Sequence, residues 1–113
     1  MNKSVLRGVI LATGLTTALV HLYLNVTMGH IDPLFTLNGL GYLGLLAAFF
    51  FNLPWISRQR VLLHYLFMLF AAVTIVAWFI LSPDRSALLG ILTKIDECIL
   101  IIALFLDLRA ERA

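Results

Sequence analysis

Lys94, Asp96 and Glu97 place three ionisable side chains on one turn of an otherwise apolar stretch. At 3.6 residues per turn Lys94 and Glu97 share a face and can pair, whereas Asp96 points about 100° away from Glu97 and needs another partner. A second polar series, Thr13, Thr17, His21 and Asn25, recurs every fourth residue near the N-terminus and forms one slowly drifting seam. With Asn38, these residues define a candidate site: Thr17, His21, Asn25, Asn38, Lys94, Asp96 and Glu97. Such groups conduct protons or ions, or bind a headgroup or quinone, when they line a wet cavity. They hold helices together when they satisfy one another. The packing reading here is a Lys94–Glu97 pair plus an Asp96 bound to Asn38, His21 or a partner chain.

Other chemistries fit the residues poorly. A haem between helices needs two imidazoles at similar depth. Measured by the rise of about 1.5 Å per residue, His64 lies about 5 Å and His21 about 24 Å from one end of the bundle. They cannot share an iron, and His64 is expected as an interfacial residue beside Arg60 and Tyr65. His21, His30 and Asp32 match no zinc spacing. No nucleophile–base arrangement or phosphate loop is present, and Asn38-Gly39-Leu40-Gly41 has no preceding strand. The sole cysteine, Cys98, is expected as a small buried apolar side chain.

The elements that carry these groups follow from hydropathy. Of the 113 residues, 62% are hydrophobic and 12% charged, and the mean hydropathy is +1.02. A soluble domain averages about 45–50% apolar and about 25% charged. Four apolar runs are expected as spanning helices over 5–28, 37–55, 61–81 and 88–106. The fold class is therefore all-α, an integral membrane four-helix bundle forming a single domain over 1–113. The first run exceeds a signal-peptide core of roughly 7–15 residues and has no small-residue cleavage site after it.

Charge orients the bundle. Lys3, Arg7, Arg58, Arg60, Arg109 and Arg112 fall on one side, against Arg85 and Lys94 on the other, so both termini are expected in the cytoplasm. The net charge of +2 reflects this topology, not a nucleic-acid surface. Trp55 and Tyr65 fall at the inner interface, and Tyr23 and Trp78 toward the outer one. Pro54 is expected to end the second helix, and Ser82 or Asp84 to cap the fourth. Small residues mark expected contacts: Gly8, Ala12 and Gly14; Gly41, Gly44, Ala47 and Ala48; Ala71 and Ala72. The Phe49–Phe51 run points in several directions, so part of it faces lipid or another chain.

The stretches Asp32–Leu43 and Leu89–Glu97, with Thr74-Ile75 and Trp78, resemble small four-span prokaryotic membrane proteins of unknown function. The resemblance implies a four-helix fold in a prokaryotic cytoplasmic (inner) membrane, and no activity or site residue. The small multidrug transporters have a similar size, but they rely on a carboxylate in the first helix, and this first helix has none. The leading expectation is a non-catalytic accessory subunit or assembly factor of a larger membrane complex, partnered by the lipid bilayer, by other membrane subunits or by copies of itself. The first alternative is a small oligomeric transporter or channel using Lys94, Asp96 and Glu97. The second is a protein that binds a lipid, quinone or pigment beside Tyr23, Phe35, Tyr42 and Trp78.

Overall fold

A computed structural model describes residues 2–29, 33–51, 59–81 and 88–112, so Ser82, Asp84, Arg85, His30, Asp32, Pro54, Trp55 and Arg58 lie outside the described residues. The described residues form four helices: α1 (Lys3–Met28), α2 (Pro33–Phe50), α3 (Arg60–Leu81) and α4 (Leu88–Arg112). Asn2 starts α1, its side-chain Oδ1 accepting from the Val5 amide at 3.1 Å. Gly29 ends it with φ of 73°, a left-handed cap that glycine adopts without strain.

Three boundaries differ from expectation by more than two residues; the second helix ends at Phe50, with Phe51 already outside it, and not at 55. The second helix begins at Pro33, not at 37, because proline suits the first helical position, where its missing N–H is not needed. Asn38 therefore sits more than a turn inside the helix. The fourth continues past 106 to Arg112, because Asp107 finds partners inside the bundle and keeps the chain helical beyond the apolar run.

The helices form an antiparallel bundle in which α1 packs against α2 and α4, and α3 packs against α4 and more lightly against α2. Register follows from paired contacts. Arg7 meets Asp107 while Thr17 meets Glu97, so α1 and α4 run in opposite directions. The N-terminus of α1 and the C-terminus of α4 thus share one end, here the terminal end; Met28, Pro33 and Leu88 lie toward the opposite end. Ile10, Leu46, Phe67, Leu100 and Leu104 fill the middle of the core.

Small residues act at fewer places than their stripes imply. Gly39 lies against Leu22 and the Ala18 carbonyl, Gly14 against Leu46, Gly41 against Phe70 and Gly90 against Trp78. Gly8 and Gly44 face open space, and Ala12 is exposed. The expected stripes on α1 and α2 are broken because the contact faces run through Gly14–Ala18 and Gly39–Gly41. Phe49 is buried and Phe51 exposed, as the varied directions of that run require.

The molecule measures 43 × 25 × 21 Å, longer than a hydrocarbon core of about 30 Å. Among the described residues three helices are long and apolar enough to cross a membrane, over Lys3–Val26, Pro33–Phe50 and Arg60–Ile80. The fourth helix carries more charge and is arranged inside out. Lys94, Glu97 and Asp107 are buried, whereas Leu88, Leu92, Ile95, Ile99, Ile102 and Phe105 are exposed. Cys98, expected to be buried, also belongs to this exposed face, because it lies one residue beyond the inward Glu97.

Candidate functional site

Glu97 is the centre of the site. It is fully buried, and α4 presents it to the crossing of α1 and α2. A carboxylate removed from water needs donors from the protein. The Lys94 ammonium lies 2.5 Å from Oε1, one turn back on the same helix. The Tyr42 hydroxyl of α2 donates to Oε2 at 2.5 Å. The Thr17 hydroxyl of α1 donates to the same oxygen at 3.1 Å. Two hydroxyl donors, from α1 and α2, meet at Oε2, and the ammonium of α4 is ion-paired at Oε1, which has no hydrogen bond of its own among the described residues.

His21 lies beside this group on α1. Its Nδ1 faces the Thr17 carbonyl at 2.7 Å and the Thr17 hydroxyl at 3.3 Å. A carbonyl only accepts, so Nδ1 carries the hydrogen. The ring sits between Phe35, with centroids 6.4 Å apart, and Tyr42, at 6.0 Å. On the other flank, the Lys94 ammonium lies 5.9 Å from the Trp78 ring centre on α3.

The structure therefore brings together Thr17, His21, Lys94 and Glu97 of the candidate residues. The others disperse. Asn25 donates to Thr36 at 2.7 Å. Asn38 donates to the Leu34 carbonyl and accepts from Thr74 at 2.7 Å, tying α2 to α3. Thr13 turns back onto the Val9 carbonyl of its own helix. Asp96 is half-buried, and its Oδ2, shielded from solvent, has no hydrogen-bond partner among the described residues. Asn38 and His21, its expected partners, are engaged with Thr74 and Thr17 instead. Tyr42 was legible only as one of several aromatics; its hydroxyl completes the Glu97 cradle.

A second buried cluster lies at the terminal end, where no candidate was expected. His64 is fully buried between the helices, and both ring nitrogens have acceptors inside the bundle. Nδ1 lies 2.6 Å from the Arg60 carbonyl and Nε2 lies 2.7 Å from Asp107 Oδ2. Two acceptors face one imidazole, so the His64–Asp107 pair holds a proton on the short bond between them. Arg7 approaches the other Asp107 oxygen at 3.6 Å. The guanidinium groups of Arg7 and Arg60 both lie over the Phe49 ring, at 5.4 and 4.5 Å from its centre. The available signal was the spacing of Arg60 and His64, one helical turn apart, together with a carboxylate just past the last apolar run.

Among the described residues no group of three metal-ligating side chains converges. A family model described as a family of unknown function, DUF7475, matches residues 2–106, which include the Glu97 cluster and stop one residue before Asp107. No curated protein and no solved structure matches.

Proposed function

We propose that this chain, which belongs to that family of unknown function, is a non-catalytic integral membrane protein that serves as an accessory subunit or assembly factor of a larger membrane complex. The closure of the Glu97 carboxylate carries the reading. Its hydrogen-bond donors, Tyr42 and Thr17, and its ion-pair partner, Lys94, all come from the same chain, so the charged turn works as a clasp between α1, α2 and α4. Polar groups used this way specify which helices pack together in an apolar medium.

Placement in a bilayer is supported by the three long apolar helices and by the reversed polarity of the fourth. A helix with charges buried and isoleucines exposed is suited to lipid, not water. Lys3, Arg7, Arg60 and Arg109 gather at the terminal end, which favours both termini in the cytoplasm. The resemblance to prokaryotic proteins supports a prokaryotic cytoplasmic membrane.

Asp96 supports a partner. The residue is only half-buried and stands next to the exposed Ile95 and one turn from the exposed Ile99, so the accessible part of its carboxyl group is open to a donor from another subunit. Gentle solubilisation followed by native mass spectrometry tests this. The expected particle contains other subunits or further copies of the 12.6 kDa chain, and Asp96→Leu is expected to shed them. A monomer retaining nothing would overturn the proposal. A retained lipid, quinone or pigment, seen in the mass or the absorption spectrum, would favour the binding role instead.

A transport role is the second reading, favoured by the unbroken chain of contacts from His21 through Thr17 to Glu97. Liposome flux that disappears in Glu97→Gln at unchanged expression would establish it.

A further inference from the structure

We propose that His21 and Thr17 form a proton relay that loads the buried Glu97 carboxylate from the opposite end of the bundle. The polarity of the hydrogen bonds supports this direction. Nδ1 of His21 carries a hydrogen because it faces the Thr17 carbonyl at 2.7 Å, and the same nitrogen lies 3.3 Å from the Thr17 hydroxyl oxygen. The Thr17 hydroxyl, accepting there, points its own hydrogen to Glu97 Oε2 at 3.1 Å. The donors thus run in one sense, from imidazole to hydroxyl to carboxylate. Nε2, the remaining nitrogen, has no partner among the described residues and receives the incoming proton. His21 keeps 6% of its exposure, whereas Thr17 and Glu97 keep none; Lys94 keeps 8% but is paired with Oε1, so the imidazole is the entry on the Oε2 side.

The transfer balances. A hydronium ion gives a proton to Nε2. The Nδ1 hydrogen passes to Thr17 Oγ1, and the Thr17 hydroxyl hydrogen passes to Glu97 Oε2. The ring is left neutral with its hydrogen on Nε2, Thr17 is again a hydroxyl, and Glu97 is a carboxylic acid. One proton has entered and no electron has moved; release runs the steps backward.

The surroundings give the transfer a consequence. Lys94 and Asp96 of α4, His21 of α1 and Tyr42 of α2 are the titratable groups around Glu97; α3 contributes Trp78 and no charged side chain at that level among the described residues. Neutralising Glu97 removes the ion pair that holds Lys94. The ammonium is then left with the Trp78 ring of α3, whose centre it already faces at 5.9 Å. Proton loading thereby loosens the tie of Lys94 to Glu97.

Time-resolved infrared spectroscopy of the full chain in phosphatidylcholine nanodiscs tests the relay. A drop in pH is expected to raise a protonated-carboxyl band that Glu97→Gln removes. The rise is expected to slow by roughly 10²-fold in Thr17→Val and in His21→Phe, the scale of a lost proton-transfer group, and to stay near the parent rate in Thr17→Ser. Absence of the band in the parent would overturn the proposal. So would an unchanged rate in whichever of Thr17→Val and His21→Phe retains parental helicity, or a Thr17→Ser rate as slow as Thr17→Val.

Discussion

Burying Glu97 strips water from two oxygens that together accept about four hydrogen bonds, and the protein returns two of these, both at Oε2. Lys94 compensates Oε1 by charge, and removing either partner strands the other inside the bundle. Lys94→Met and Glu97→Leu are each expected to lower thermal stability in detergent, while the double substitution recovers much of the loss. A double-mutant cycle is expected to give a coupling on the order of 1 kcal/mol, since polar pairs in membranes measure weaker than their geometry suggests. At the other end, Asp107→Leu leaves His64 Nε2 and the Arg7 guanidinium facing an apolar side chain. Its expected destabilisation is larger, on the order of 3 kcal/mol, because a buried charged pair is broken from one side; unfolding curves that overlay the parent's would refute this. The Lys94–Glu97 pair was legible because both residues lie on one helix, three apart. Tyr42 and Asp107 were not, because their partners lie 55 and 43 positions away, and only the packing of different helices brings them together.

Helix contacts depend on which small residues face a neighbour. A Cβ on Gly39 would stand 3.0 Å from the backbone carbonyl of Ala18, which cannot rotate aside. Gly44, on the same helix, has nothing within 4 Å. Gly39→Ala is therefore expected to loosen α1 from α2 and lower the melting temperature. Gly44→Ala is expected to stabilise by roughly 0.5–1 kcal/mol through backbone entropy alone. Equal effects in a thermal melt would contradict the assigned faces. The four helices themselves were readable from hydropathy, because 62% apolar residues leave little else between the turns. Their ends were less so. Hydropathy stops α4 at 106, but pairing of Asp107 with His64 and Arg7 carries the helix to Arg112. The outward turn of Cys98 and the open Gly8 and Gly44 were also hidden, since composition marks small residues without saying which neighbour they meet.

At the scale of the whole molecule, α4 decides the account. The other three helices are long and apolar enough to cross a membrane, whereas α4 belongs in a bilayer only if its charged turn faces the bundle. Cys98 offers a first check. Exposed from the bundle at the level of Glu97, it is expected to react in native membranes with an apolar thiol reagent and to resist a charged one. Equal labelling by both would place it in water. The most direct test is the sidedness of α4 itself. In a Cys98→Ala background, single cysteines are introduced as Leu88→Cys and Ala110→Cys, both at exposed positions near the two ends of α4. With a membrane-impermeant maleimide on intact cells, Leu88→Cys is predicted to label, and Ala110→Cys only after permeabilisation. Labelling of both from the same side would contradict a fourth crossing, leaving α4 on the membrane surface and Lys94 and Glu97 outside the bilayer.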